Sequence, residues 1–65
     1  MTLTITMNLD NAAFDEGEAP EVARILRYLA DDIEVNSSLE RYALKLRDIN
    51  GNSVGQAAVS GRRPQ

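Results

Sequence analysis

The sequence predicts an α+β domain with the order strand, helix, strand, strand, in which one helix packs on a three-stranded sheet that is mixed or antiparallel. Three observations predict it: strict alternation over residues 3–9, helical spacing over 22–33, and two alternating segments joined by "RDINGNSVG" at 47–55. A chain of 65 residues makes one domain, and it buries only about 60% of the surface exposed by its unfolded form. We place this domain at residues 1–59 and a flexible tail at 60–65, where nothing can be buried.

The first strand is predicted by apolar residues that alternate with threonine and asparagine. The side of the strand that is predicted to face the core carries Leu3, Ile5, Met7 and Leu9. The segment has neither a cationic start nor a continuous apolar run. We therefore expect no signal peptide, no membrane association, and a cytoplasmic protein.

The helix is predicted to start at Pro20, because proline suits the first helical position and pushes Ala19 towards extended geometry. Residues 10–19 before it lack periodicity and are predicted to form a loop. Asn36 is predicted to end the helix in a left-handed conformation. The apolar stripe that should face the sheet comprises Val22, Ile25, Leu26, Leu29 and Ile33.

The hairpin is predicted from residues 42–47 and 54–59, joined by a type I turn with a glycine bulge at Gly51. In that register Leu46 opposes Val54. The alternative is a two-residue turn at Asn50 and Gly51, which exchanges the two faces of the third strand and sets Ala57 and Val59 inward.

A right-handed crossover makes the first two strands parallel, and the third strand then lies either at the edge of the sheet or between them. We favour the middle position, where both of its neighbours would be antiparallel. The two outer strands then remain exposed at the sheet edges. A second copy of the chain could cover such an edge, so a homodimer is one expected state.

The residue types exclude several kinds of chemistry. The chain has no Cys and no His, so disulfides, zinc, haem and iron–sulfur sites are not expected, and no base is present to activate a hydroxyl nucleophile. Asp48, Asn50 and Asn52 imitate the first half of a calcium loop. However, the sixth position holds Ser53 where glycine is required, and the twelfth holds Val59 where a bidentate Glu is required. We predict no metal, no cofactor, no catalytic residue and no enzymatic activity.

Charge is distributed unevenly along the chain, whose formal net charge is −3. Residues 10–21 carry acids without a base, and the C-terminal part is basic. Phe14 lies in the acidic segment, where it is either a plug beneath the helix end or an exposed anchor for a basic partner. The candidate partner-binding residues are Phe14, Asp15, Glu16, Glu18, Glu21, Asp31, Asp32 and Glu34.

A second candidate surface is the open face of the sheet, where cations could attract single-stranded nucleic acid. Its candidate residues are Lys45, Arg47, Arg62 and Arg63. Proteins that bind single strands add aromatic rings for base stacking, and the net negative charge opposes purely electrostatic attraction. Nucleic acid therefore ranks behind a protein partner.

The segments "LDNAAF", "PEVARILRYLADDI" and "DINGNSVG" together resemble short uncharacterised proteins encoded in tailed-phage and prophage genomes. The resemblance covers most of residues 3–55. It implies a non-enzymatic protein that binds and inhibits or modulates a bacterial host protein, for example one of a restriction or CRISPR defence system. The alternatives are a small regulator that binds single-stranded nucleic acid and a structural homodimeric assembly protein.

Overall fold

A computed structural model describes residues 1–15 and 17–61. Its elements are β1 (Thr2–Met7), a short 3₁₀ helix (Ala12–Phe14), α1 (Glu18–Asn36), β2 (Ala43–Arg47) and β3 (Ser53–Ser60). The sheet order is β1-β3-β2, and β3 is antiparallel to both neighbours. The predicted α+β fold is confirmed, with one helix, an antiparallel sheet and the third strand in the middle.

The ends of α1 differ from the predicted ones. The helix begins at Glu18, after Gly17 with a φ of 132°, so Pro20 is the third helical residue. Proline is tolerated there because the N–H groups of the first turn have no intrahelical acceptor. At the other end it is Ser37, with a φ of 56°, that is left-handed. Asn36 remains helical, and its side-chain amide donates to the Asp32 carbonyl at 2.7 Å.

The core forms where the helix crosses the central and second strands. Ile25 from α1, Leu46 from β2 and Ala57 from β3 are fully or almost fully buried. Phe14 is only 2% exposed, so the 3₁₀ helix delivers its ring to the same core. Burial of these side chains is the main favourable contribution to folding in a domain that has no disulfide.

The hairpin has the predicted turn but not the predicted register. The Gly51 N–H donates to the Asp48 carbonyl at 3.0 Å, and Gly51 has the φ of 86° that a glycine bulge requires. Beyond the Arg47–Ser53 pair the register shifts, so that Leu46 pairs with Gly55 and not with Val54. The register predicted for the strands is therefore wrong, since a second bulge turns Val54 into the core and sets Ala57 inward.

The side of β1 that is predicted to face the core is only partly covered. Leu3 is 39% exposed and Ile5 is 42% exposed, although both pair with β3 residues whose side chains lie on the helix side. The backbone of α1 approaches β2 and the 3₁₀ helix most closely. The helix therefore lies off-centre on the sheet and leaves the β1 side open. At the other end of the chain, Ser60 belongs to β3 and pairs with Thr2, so the strand continues one residue into the predicted tail.

Candidate functional site: the α1–β2 groove

A groove of about 430 Å³ lies between the helix and the second strand. We call it the α1–β2 groove and define it by Arg24, Tyr28, Leu44, Lys45, Arg47 and Ile49. Two of its side chains are strongly exposed for their size, namely Ile49 at 70% and Tyr28 at 58%. Apolar and aromatic surface beside cations is the composition that protein-binding sites favour.

The turn beneath the groove is organised by Asp48, which is only 4% exposed. Its carboxylate accepts hydrogen bonds from the N–H groups of Asn50 and Asn52, both at 2.9 Å, and from the Asn52 side-chain amide at 3.2 Å. Burial raises the pKa of Asp48, but the hydrogen bonds from Asn52, Asn50 and Gly51 more than offset it, so the net pKa is lowered. Asp48 therefore stabilises the turn, because its carboxylate oxygens accept hydrogen bonds from amide groups of the loop.

The turn is fastened to the helix by Glu21, which is 8% exposed. Its carboxylate accepts from Arg24 at 2.8 Å and 3.0 Å and from the backbone N–H of Ile49 at 2.9 Å. The hydrogen bond from Arg24 is the main reason that the pKa of Glu21 is lowered. Arg24 also donates to the Arg47 carbonyl at 3.3 Å. These bonds hold the turn against the helix and leave the Ile49 side chain exposed at the rim.

The edge of β2 contributes backbone groups to the groove. The Val59 N–H donates to the Tyr42 carbonyl, so by strand alternation Leu44 also directs its backbone groups at β3. Ala43 and Lys45 then direct their N–H and C=O groups outward, because β2 is an edge strand. An extended segment laid along this edge could pair with those groups and place alternate side chains in the groove.

The predicted partner-binding residues do not form one surface. Phe14 is buried, so its interpretation as a plug is correct and its interpretation as an exposed anchor is wrong. Glu21 is bonded within the fold, and Glu16 lies outside the described residues. Asp32 is half-buried and accepts from the Tyr42 hydroxyl at 2.6 Å.

The remaining acids fall into two separate groups. Asp15 and Glu18 are exposed near the start of the helix, and Asp31 and Glu34 are exposed near its end. A rise of 1.5 Å per residue sets Glu18 and Asp31 about 20 Å apart along the helix axis. Helical periodicity also places Arg27 on the same side as the second group. Among residues 1–15 and 17–61, the exposed acids of this set therefore form two small separate patches, the second of them beside Arg27, and no continuous acidic face.

The predicted nucleic-acid face is present only in part. Lys45 pairs with Gln56, which pairs with Thr6, so these residues share the outer face of the sheet. The described part of that face carries no aromatic ring on which a base could stack. Arg47 donates to the Gly51 carbonyl at 3.1 Å, and Arg62 and Arg63 lie outside the described residues.

Sequence reasoning did not single out three members of the groove, namely Tyr28, Arg24 and Ile49. Two signals pointed to them. The Glu21–Arg24 spacing of three residues favours an ion pair on a helix, and an isoleucine inside a tight turn has no local reason to be there.

Comparisons with known proteins return nothing for this chain: no family model, no curated protein and no solved structure matches it. The resemblance to phage-encoded proteins therefore stays a prediction. Within residues 1–15 and 17–61, no helix has the length and hydropathy needed to cross a membrane. The same residues contain no group of three or more His, Cys, Asp or Glu side chains that could hold a metal ion.

Proposed function

We propose that this chain is a non-enzymatic interaction protein that binds a protein partner in the α1–β2 groove and thereby inhibits or modulates it. The observation that carries the proposal is the exposure of Ile49 and Tyr28 over a concave surface rimmed by cations. A partner that covered the Ile49 side chain together with the Tyr28 ring would remove both from water, and that burial of apolar surface would favour binding.

The chemistry of the groove specifies the kind of segment that fits. Leu44 at its base and Ile49 at its rim favour apolar side chains. Lys45 and Arg47 supply positive charge that favours carboxylates, whereas the Arg24 guanidinium is already bonded to Glu21. The outward backbone groups of Ala43 and Lys45 favour an extended main chain. The occupant is therefore an extended, acidic segment with apolar residues at alternate positions.

The biological setting of the proposal comes from the resemblance described above. In that setting the partner is a bacterial host protein, the protein acts in the bacterial cytoplasm, and inhibition of a defence system of the restriction or CRISPR type is the narrower version. The lack of His and Cys supports a role in binding over one in catalysis.

Selection from a random-peptide display library on the immobilised protein tests the proposal. We expect enriched peptides to combine acidic residues with alternating apolar ones. Ile49→Ser and Lys45→Glu should each weaken their binding by about tenfold or more, which corresponds to about 1.4 kcal/mol.

Val35→Ser is the matched control, because Val35 is 84% exposed on the same helix but outside the groove. It should leave peptide binding unchanged. Enrichment of basic peptides whose binding is lost in Glu18→Arg would place the site on the acidic residues and overturn the groove proposal.

Single-stranded nucleic acid is a second candidate ligand, because the exposed ring of Tyr28 lines the same groove as Arg24, Lys45 and Arg47. A gel-shift titration at low and moderate salt with a labelled single strand tests it. Binding that weakens with salt and is lost in Tyr28→Ser would support this candidate. Lack of binding at low salt would remove it.

A further inference from the structure

We propose that two copies of this chain pair antiparallel through β1 and form a continuous six-stranded sheet with the order β2-β3-β1-β1-β3-β2. The occupant of the open β1 side is a second copy of the same chain. The inference is independent of the groove, which lies at the opposite edge of the sheet.

The two edges of the sheet differ in how they are protected. Folded proteins keep edge strands from pairing by placing charges, prolines or bulges there. The β2 edge carries Lys45 and Arg47, and its register with β3 is broken by a bulge. The β1 edge, Thr2–Met7, has no charged residue and no proline, and it pairs with β3 in one unbroken register. The β1 edge is thus uncharged and regular enough to pair with an identical strand, whereas the cations of the β2 edge oppose pairing with a second β2 and favour an acidic segment.

The backbone of β1 is suitably directed for pairing around a two-fold axis. The Asn8 N–H donates to the Val54 carbonyl at 2.7 Å, so by alternation Thr6 and Thr4 direct their backbone groups at β3. Leu3, Ile5 and Met7 then direct theirs outward. An antiparallel partner centred on Ile5 pairs Ile5 with its own counterpart and Leu3 with Met7 of the second copy.

This register also matches the two faces of the strand. Residues directly opposite each other in antiparallel strands point to the same side of the sheet. The apolar side chains of both copies would lie together on the helix side, and the threonines would lie together on the outer side. The strand is therefore complementary to itself.

The helix extends this uncharged surface. Leu26, which is 39% exposed, lies about 160° around the helix axis from Tyr28, at 3.6 residues per turn, and therefore on the β1 side of α1. The residues that share this flank by the same periodicity are Ala19, Val22, Ala23, Ala30 and Ile33. None of them is charged. A second copy would cover Leu26 together with Leu3 and Ile5.

Both the distribution of charge and the area available for contact favour a second copy of the chain as the partner. Two chains of net charge −3 repel each other, so self-association requires an interface without like charges. Residues 1–9 and this helix flank, which would form that interface (the seam), carry no charged side chain. A specific dimer buries at least about 600 Å² on each copy. That is about an eighth of the 4961 Å² that the chain exposes, a share that an edge strand and an adjoining helix flank can supply.

The arrangement has a consequence for binding. Because the seam lies at β1, the two α1–β2 grooves would lie at the far ends of the six-stranded sheet. A dimer would present two equivalent grooves to a repeated or dimeric partner, which raises the overall affinity without any new contact.

Sedimentation equilibrium measures the association directly. The wild-type chain should have twice the monomer mass of 7.2 kDa, and Ile5→Lys should sediment as a monomer. Val35→Lys, an equally charged change at the 84% exposed position, should remain dimeric. A wild-type chain that is monomeric at its highest soluble concentration would overturn the proposal.

A cysteine cross-link tests the pairing of the two β1 strands directly. Unlike Ile5→Lys, it does not introduce a charge that the fold itself has to tolerate. The chain has no cysteine, so Ile5→Cys introduces a single thiol. Hydrogen-bonded partners in antiparallel strands have Cα atoms about 5.5 Å apart, within the disulfide range. Oxidation should yield a covalent dimer for Ile5→Cys and none for Val35→Cys. Efficient cross-linking of Thr4→Cys without that of Ile5→Cys would overturn the proposed register.

Discussion

Glu21 and Asp48 are the two buried carboxylates in the part of the chain that the structure describes, and both are bonded by groups that favour their ionised forms. Glu21 joins the helix to the turn, and Asp48 closes the turn on itself. A single buried acid can organise a loop in this way because a carboxylate accepts several N–H groups at once. The shape of the α1–β2 groove therefore depends on two residues whose side chains a partner would not contact.

The lowered pKa values of Glu21 and Asp48 imply that the fold loses stability at low pH. Their folded pKa values lie below the ordinary values of 4.5 for Glu21 and 3.8 for Asp48. The stability that they contribute is fully present above those ordinary values, and it is lost as the pH falls through the lower folded values. Thermal melts should show Tm falling below about pH 4.5. Glu21→Gln should reduce the slope of that fall, and an unchanged slope would contradict the assigned role.

Tyr42 predicts a second loss of stability at high pH. Burial, followed by the hydrogen bond to Asp32, raises the pKa of Tyr42 from 10.0 to about 12. Stability is therefore complete below pH 10 and declines as the pH rises towards the folded value. Tyr42→Phe should abolish the alkaline decline in denaturant melts. It should also cost about 1 kcal/mol at neutral pH, the usual net value of one hydrogen bond.

Truncation of the Phe14 side chain is expected to have a large effect on the stability of the fold. Because its ring is 2% exposed in the core, Phe14→Ala should destabilise the fold by about 3–5 kcal/mol. Urea unfolding measures this change, with Ile49→Ala as an exposed control expected to lie within about 0.5 kcal/mol of wild type. A neutral Phe14→Ala would contradict the placement of the ring under the helix.

At the scale of elements, the sequence predicted the features that depend only on neighbouring residues. The helix follows from its apolar spacing, and the hairpin turn follows from Asp48 and Gly51. The register of β3 could not be predicted, because the bulge at Val54 forms when both Val54 and Ala57 gain burial in the assembled core. Turn chemistry alone predicted the other register.

Gly55 at this bulge provides a test at the same scale. A Cβ atom added there would collide with the backbone carbonyl of Thr6 on the neighbouring strand. Gly55→Ala should therefore destabilise the sheet by at least about 1–3 kcal/mol, the usual cost of overpacking. Gly51→Ala is a useful comparison, since it meets no atom within 4 Å and strains only the local φ of 86°. Equal effects of the two changes in denaturant melts would contradict the strand pairing.

At the scale of the whole molecule, the helix covers only part of the sheet. This off-centre position creates the α1–β2 groove on one side and leaves β1 uncovered on the other. Neither feature was predicted, because both depend on where the helix axis lies over the sheet, which amphipathic periodicity does not specify. Arg24 and Ile49 are distant in sequence, and Glu21 brings them together by bonding to both.

The most direct test of the groove proposal is an NMR titration of the ¹⁵N-labelled protein with a peptide taken from the display selection. We expect the amide shifts of Lys45, Ile49 and Tyr28 to change together and to saturate with peptide. Shift changes confined to Glu18 and Asp31, or to the threonines of β1, would contradict binding in the α1–β2 groove.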